Sequence, residues 1–393
     1  MTTTAVPPTA AAADDVLKQV RAILPTLSSN VDQAEADRRL PASSARAMID
    51  AGLARVLAPR RFGGYELPLT TWLDLVREIS AVDASHGWCA SLLVHHPHYV
   101  AQFPEAAQKE VWANGPDVAI ATAIAPVIAV TEADGGYRLS GRTAWASGVN
   151  HADWSIVAGM LPGTHPPEHT FFLVPASDYT VEQTWDTVGM RGTGSDTIVV
   201  EDTFVPTARA LKLSDIREGK APGGELHAPS YYRTPWVTYA PATFAAPILG
   251  AAQGALDRYL NSTARRASAQ GGRVADFAGG QFKLAQAASN LDAAELLIRR
   301  ALELSGSGAE ISLELRARCT RDYSRAAQLV LASVDLLMGM SGSSGFAVDQ
   351  SIQRVWRDLH LAASHVSLSP EQNFQHWGRT RLGLERPSGL AMY

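Results

Sequence analysis

The sequence predicts an α+β fold that is mostly α: an N-terminal helical domain, a small central β-barrel or sandwich, and a C-terminal four-helix bundle. Three observations predict it. From Asp15 to about Asn114, and again from Ala240 onward, the pattern is helical, with apolar residues at three- and four-residue spacing in the long segments after Ala240. From Ala119 to Val205-Pro206, short β-rich runs separated by turn residues replace the helical pattern. After that come Ala251–Arg266, Gly280–Leu304 and Leu313–Met340, segments long enough for a bundle. The expected divisions are a disordered tail over 1–14, helices over 15–118, the β domain over 119–212, and the bundle with its leading loop over 213–393.

Each element follows from local chemistry. Residues 1–14 are rich in Ala, Thr and Pro and lack the basic start and apolar centre of a signal peptide, so they read as a disordered tail. Leu40-Pro41 precedes an amphipathic helix, Ala42 to Gly52, which the glycine stops. Pro59-Arg-Arg-Phe-Gly-Gly64 is a glycine-rich turn, and helices follow over Trp72–Val82 and Trp88–Phe103. The strand candidates are Val127–Val130, Gly136–Leu139, Trp154–Ala158, Thr170–Val174 and Thr197–Val200, with a turn at Asp134-Gly-Gly136. A loop rich in Gly, Pro and charge covers Asp215–Pro229.

Composition narrows the function classes. The 393 residues are 46% hydrophobic, ordinary for a globular enzyme. A formal net charge of -5 gives no basic footprint for nucleic acid. Cys89 and Cys319 form no C-x-x-C pair, which argues against a disulfide framework or a cysteine zinc site. No run of about 18 apolar residues is available to span a membrane. The expected location is the cytoplasm.

Four segments carry a resemblance. They are Asp37-Arg-Arg-Leu-Pro41 with Pro59-Arg-Arg-Phe-Gly-Gly64; Gly141-Arg-Thr-Ala-Trp-Ala-Ser-Gly148; Val188-Gly-Met-Arg-Gly-Thr-Gly-Ser195 through Val205-Pro206; and the helix Arg354-Val-Trp-Arg-Asp-Leu-His-Leu-Ala-Ala-Ser-His365 after the loop Ser341-Gly-Ser-Ser-Gly345. In this order they resemble the acyl-CoA dehydrogenase superfamily along nearly the whole chain. Where that superfamily often carries a catalytic glutamate, this chain has His365 and then Val366. Ala-Ser-His365 and Trp-Ala-Ser-Gly148 are similar to the flavin-dependent monooxygenase branch, group D, which includes oxygenase components of phenol hydroxylases, indole oxygenases and dibenzothiophene monooxygenase.

The resemblance implies a reaction and its residues. Reduced FMN or FAD, delivered by a separate NAD(P)H:flavin reductase, would react with O2 to give a C4a-(hydro)peroxyflavin that oxygenates a small aromatic substrate. Trp88, Tyr99, Trp236 and Tyr239 fit a flat phenol- or indole-like molecule, and equally an ordinary core. Ser147 would hydrogen-bond near flavin N5 and O4, with Trp145 along the ring on the same strand face. His365 would act as base on the substrate or as donor to the peroxide; the plain alternative is a helix-end histidine satisfied by backbone. His96, or His95 beside it, would face flavin or substrate, and His98 completes the cluster. His-His-Pro-His has no metal-ligand spacing, so no metal is expected. Arg265 or Arg266 would hold the flavin phosphate, with Gln281 and the Ser341, Gly342, Ser344 loop meeting the cofactor tail. Arg191 and Arg354 read as structural anchors. The fold implies a homotetramer.

Three alternatives remain. One is N- or S-oxygenation by the same flavin chemistry. A second is an acyl-CoA dehydrogenase, but Ser230–Leu256 contains neither Asp nor Glu, and Glu371 would serve only if its loop were displaced. The third is a non-catalytic flavin-binding homologue. The chain has no G-x-G-x-x-G after a strand, so an intrinsic nicotinamide site is not expected.

Overall fold

The computed structural model describes residues 9–163, 167–264, 266 and 271–385. The first helices are α1 (Thr9–Ser29), α2 (Val31–Asp37), α3 (Ala42–Asp50), α4 (Leu69–Val82), α5 (Ala84–Val100) and α6 (Glu105–Val111). Helix α1 corrects the expected tail: Thr9 to Asp14 is helical. Its four consecutive alanines are the best helix formers, and Val16, Val20 and Leu27 bury one side of the helix. Residues 1–8 lie outside the described residues. Helix α5 is buried along its whole length and so has no polar stripe. The Asp83 carboxylate caps it by accepting the His86 N–H at 3.0 Å.

The strands are β1 (Ile120–Ala133), β2 (Gly136–Ala146), β3 (Trp154–Leu161), β4 (Glu168–Pro175), β5 (Thr180–Glu182), β6 (Asp196–Pro206) and β7 (Ala210–Lys212). They form one sheet in the order β5-β6-β2-β1-β3-β4-β7. Among the described residues, only the β1–β3 pair is parallel. The register of β1 against β3 slips at Pro126, where proline cannot donate to the ladder. The sheet closes over its own core, so Tyr137 of β2 meets Phe172 of β4 at 5.5 Å although those strands are not neighbours.

The chain then forms α7 (Leu213–Arg217), α8 (Ala242–Thr263), α9 (Ala278–Gly306), α10 (Leu313–Ser341), α11 (Ser351–Ala362) and α12 (Pro370–Arg381). Helix α8 is the hub, packing on α9, α10 and α11 of the bundle and on α4 and α5. A Cβ at Gly254 would lie 2.1 Å from the Ala81 carbonyl oxygen, so glycine sets the α4–α8 spacing. Helix α8 begins earlier than the expected Ala251 and runs through Pro247. Proline leaves the Thr243 carbonyl without its helical donor, and the Ser91 hydroxyl of α5 supplies one at 2.8 Å. Arg77–Glu295 and Arg299–Asp74, both 2.6 Å, tie α4 to α9.

Candidate active site

The site forms where the end of β2, the middle of α5, the start of α8 and the end of α11 meet. Strand β2 ends at Ala146, and Ser147 follows in a turn. Trp145 has φ of +70°, uncommon for a bulky residue, and the β2–β6 register slips between Thr143 and Ala146. Simple alternation therefore does not put Trp145 and Ser147 on one strand face, as the sequence had implied. The kink leaves the Trp145 side chain 71% exposed, while Ser147 turns inward and is half-buried. There the Trp88 indole N–H donates to Ser147 Oγ at 3.1 Å.

His365 sits just beyond α11, and its ring stacks on Phe244 of α8 at 3.6 Å and 25°. Trp88 lies edge-on to the same imidazole at 6.1 Å and touches Phe244 at 5.0 Å. The tertiary structure thus brings Ser147 and His365 to one aromatic wall, Trp88 and Phe244. His365 Nδ1 accepts the Ser367 N–H at 3.2 Å, so the proton of the neutral ring resides on Nε2. Burial pushes its pKa down to about 4. Nδ1 thus serves the backbone, and the Nε2 N–H is left without that partner.

The α5 histidines separate into distinct roles. His96 Nδ1 donates to the Ile120 carbonyl at 2.5 Å, which leaves Nε2 as an acceptor for the Thr122 hydroxyl at 3.2 Å. Burial lowers its pKa to about 4. His95 stacks on Trp72 at 4.7 Å and pairs its Nδ1 with the Thr243 hydroxyl at 2.7 Å. Its Nε2 is buried without a partner, and burial holds the ring neutral. His98 donates to the Tyr231 carbonyl and accepts from Gln102, so both nitrogens serve the core. Among the described residues, no group of three His, Cys, Asp or Glu is placed to hold a metal.

A network fixes the frame. Asp358 of α11 is buried and accepts the Met190 N–H at 2.5 Å. Burial, with Asp83 nearby, raises its pKa well above the carboxylate range. Gly189 lets the same loop lie on α11, because a Cβ there would fall 2.5 Å from the Arg357 carbonyl oxygen. Arg357 pairs with Glu35 at 3.0 Å, Arg354 with Asp32 at 2.7 Å, and Arg191 with Asp186 at 3.0 Å. Arg191 and Arg354 are therefore anchors in ion pairs. Ser147 also lines an apolar cleft together with Leu40, Met48, Ile49, Leu92 and Leu93.

The expected cofactor-tail residues bond within their own segments. Arg265 lies outside the described residues. Arg266 is exposed, and its N–H donates to the Thr263 carbonyl at 3.1 Å. Gln281 is exposed and donates to the Ala275 carbonyl. The Ser341 hydroxyl turns back onto Leu337, and that of Ser344 onto Ser341. Gly342 has φ of +68°, and the loop forms a 3-10 turn over Ser343–Phe346, separate from α11, which starts at Ser351. Sequence reasoning missed Phe244, Thr122, Ser195 and Thr193. Phe244 carries no signal beyond helical periodicity, whereas Thr193 and Ser195 stand inside the Arg-Gly-Thr-Gly-Ser195 motif, which by itself marks only the fold.

Comparison with known proteins gives the family. Residues 12–115 match the acyl-CoA dehydrogenase N-terminal domain and residues 242–370 the C-terminal domain. The chain is 36% identical to the flavin-dependent monooxygenase oxygenase subunit HsaA of Rhodococcus jostii, over 94% of this chain and 98% of that protein. It is 38% identical to the oxygenase component of an FADH2-dependent resorcinol hydroxylase of Rhizobium sp., over 94% of each. The structure of XiaF from Streptomyces sp. in complex with FADH2 and glycerol superposes with a TM-score of 0.89 at 30% identity, covering 97% of this chain and 98% of that one. On this sequence likeness, shared fold and matching domain order, the chain belongs to the flavin-dependent monooxygenase oxygenase subunits built on the acyl-CoA dehydrogenase fold.

Proposed function

We propose that this protein is the oxygenase component of a two-component monooxygenase, using O2 and reduced flavin to oxygenate a small phenol- or indole-like substrate. The carrying observation is the convergence of Ser147 and His365 on the aromatic wall of Trp88 and Phe244. The residues present fit a flavin: Trp145 offers an exposed indole beside Ser147, whose oxygen sits at the rim of the wall. Its relatives include an FADH2-dependent hydroxylase and a protein solved with FADH2. When bound, reduced FMN or FAD supplies the oxygen-activating chemistry.

The chain's own residues do the rest. Trp88 and Phe244 exclude water from the reacting face. Ser147 fixes the ring edge, and His365 donates a hydrogen bond from Nε2 to an oxygen at the site. His96 Nε2, now facing Thr122, is the acceptor suited to a substrate O–H or N–H. The cofactor tail is met by Arg265, Arg266, Gln281, Ser341, Gly342 and Ser344 of a neighbouring copy in a homotetramer. The exposed Phe282 and Leu296 of α9 support that assembly. A separate NAD(P)H:flavin reductase supplies the flavin in the cytoplasm, a setting that suits two free, buried cysteines.

The test supplies pre-reduced FMN and FAD separately, with phenols, indoles and amino sugars, and measures one oxygen atom from labelled O2 in the product. Oxygenation on nitrogen or sulfur alone would shift the substrate class. Bleaching of bound flavin by acyl-CoA thioesters without oxygen would overturn the proposal in favour of a dehydrogenase.

A further inference from the structure

We infer that a hydroxyl chain running inward, Ser147–Ser195–Thr193, presents Ser147 as a hydrogen-bond acceptor and so makes the site bind reduced flavin in preference to oxidised flavin. Reduced flavin carries hydrogen on N5; oxidised flavin has only a lone pair there. The inference rests on the proposed placement of Ser147 at flavin N5.

The direction of the chain is set at its two ends. Ser147 and Ser195 lie 2.7 Å apart, as do Ser195 and Thr193, and either hydroxyl of each pair could donate. At one end, the Trp88 indole N–H can only donate, and it reaches Ser147 Oγ. At the other, the Met190 carbonyl can only accept, and the Thr193 hydroxyl reaches it at 2.9 Å. Each hydroxyl has one proton. Thr193 gives its proton to Met190, so it accepts from Ser195, and Ser195 accepts from Ser147. The Ser147 proton is thereby committed inward. Of its two lone pairs, one takes the Trp88 N–H and one remains for a donor.

An N5–H completes this pattern and an N5 lone pair opposes it. To donate to oxidised flavin, Ser147 needs the chain to run backwards, with Thr193 donating to Ser195 and Ser195 to Ser147. That reversal gives up the Thr193–Met190 bond. The Met190 carbonyl is not orphaned, because it still accepts the Thr193 N–H at 3.2 Å and the Trp185 indole N–H at 2.9 Å. The penalty is therefore about one hydrogen bond, a finite bias with the chain still intact. Thr193 and Ser195 are buried, which keeps solvent from making up the loss. Asp358 holds the loop from beneath through the Met190 N–H. For an enzyme that takes flavin from a separate reductase, this bias favours the useful form over the spent one.

Dissociation constants for reduced and oxidised FMN, measured anaerobically by fluorescence titration, test the inference. Variants Ser195→Ala, Thr193→Val, Ser195→Thr and Ser147→Ala are compared with the parent, each checked for unchanged thermal unfolding. Ser195→Ala and Thr193→Val free the Ser147 proton. They should lower the oxidised-to-reduced ratio of dissociation constants about two- to tenfold, the worth of one hydrogen bond. Ser195→Thr keeps the hydroxyl and should retain the parental ratio. Ser147→Ala should weaken reduced flavin. If Ser147→Ala changes neither constant, the placement at N5 fails and the inference with it. If it weakens reduced flavin while Ser195→Ala and Thr193→Val leave the ratio unchanged, the placement stands and the chain inference is overturned.

Discussion

His365 is expected to act as a neutral hydrogen-bond donor, a role that its pH profile and its glutamine variant separate from that of a base. Burial holds its pKa at about 4, and Nδ1 is occupied by the Ser367 N–H. At pH 7 only about one ring in a thousand is protonated. A phenol with a pKa near 10 gives its proton to such a ring uphill by about 8 kcal/mol, against about 5 kcal/mol for an unperturbed imidazole. The difference, about 3 kcal/mol, weakens it as a base by more than about a hundredfold. As a donor from Nε2 it loses nothing. His365→Ala should lower product formation by about 10²–10³-fold, the cost of removing a preorganised hydrogen-bond donor, while flavin affinity changes by less than about threefold. His365→Gln keeps an N–H and should recover at least about tenfold over the alanine variant. The assay is single turnover, mixing enzyme with pre-reduced flavin and substrate against oxygenated buffer from about pH 5.5 to 8.5. The parent should show no inflection near the ordinary histidine pKa. An inflection near 6.5 that disappears in His365→Gln would refute the donor role, and so would parental turnover in His365→Ala.

Two further outcomes follow from buried groups. His95, His96, His98 and His365 all have folded pKa values below the ordinary value of 6.5, so the unfolded chain takes up protons first as pH falls. Stability present above pH 6.5 is then lost toward pH 4, His96 alone withdrawing on the order of 3 kcal/mol, and urea midpoints at pH 7, 5.5 and 4.5 that coincide would contradict this. Burial raises the Asp358 pKa well above its ordinary value, and Asp358→Asn keeps a side-chain oxygen for the Met190 N–H, so that variant should be tolerated. Asp358→Ala should cost about 1–3 kcal/mol by stranding the Met190 N–H, and equal damage from both in denaturant unfolding would refute the assignment.

Much of this protein is legible in its sequence. Periodicity places the helices and the change to strands, because burial on one face repeats at 3.6 or 2 residues wherever an element packs. The ordered motifs mark the family, and His365 in place of a carboxylate marks the departure from dehydrogenase chemistry. Local signals misled where a local rule was overridden from afar. Pro247 would break an isolated helix, but Ser91 on another helix satisfies the freed carbonyl. The alanines after Thr9 resemble a tail until the buried valines of α1 are counted.

The chemistry of the site was decided only by the tertiary structure. Ser147 meets Trp88 across 59 residues, and the same indole lies beside His365, which stacks on Phe244 of another helix. The tautomer of His365 depends on the Ser367 N–H, and its pKa on the rings packed around it. The direction of the Ser147 hydroxyl is set from the Met190 carbonyl through Thr193 and Ser195, while the Trp88 N–H takes one of its lone pairs. Sequence patterns report which faces are buried. Where a proton sits depends on partners distant in the chain, and only folding brings those partners together.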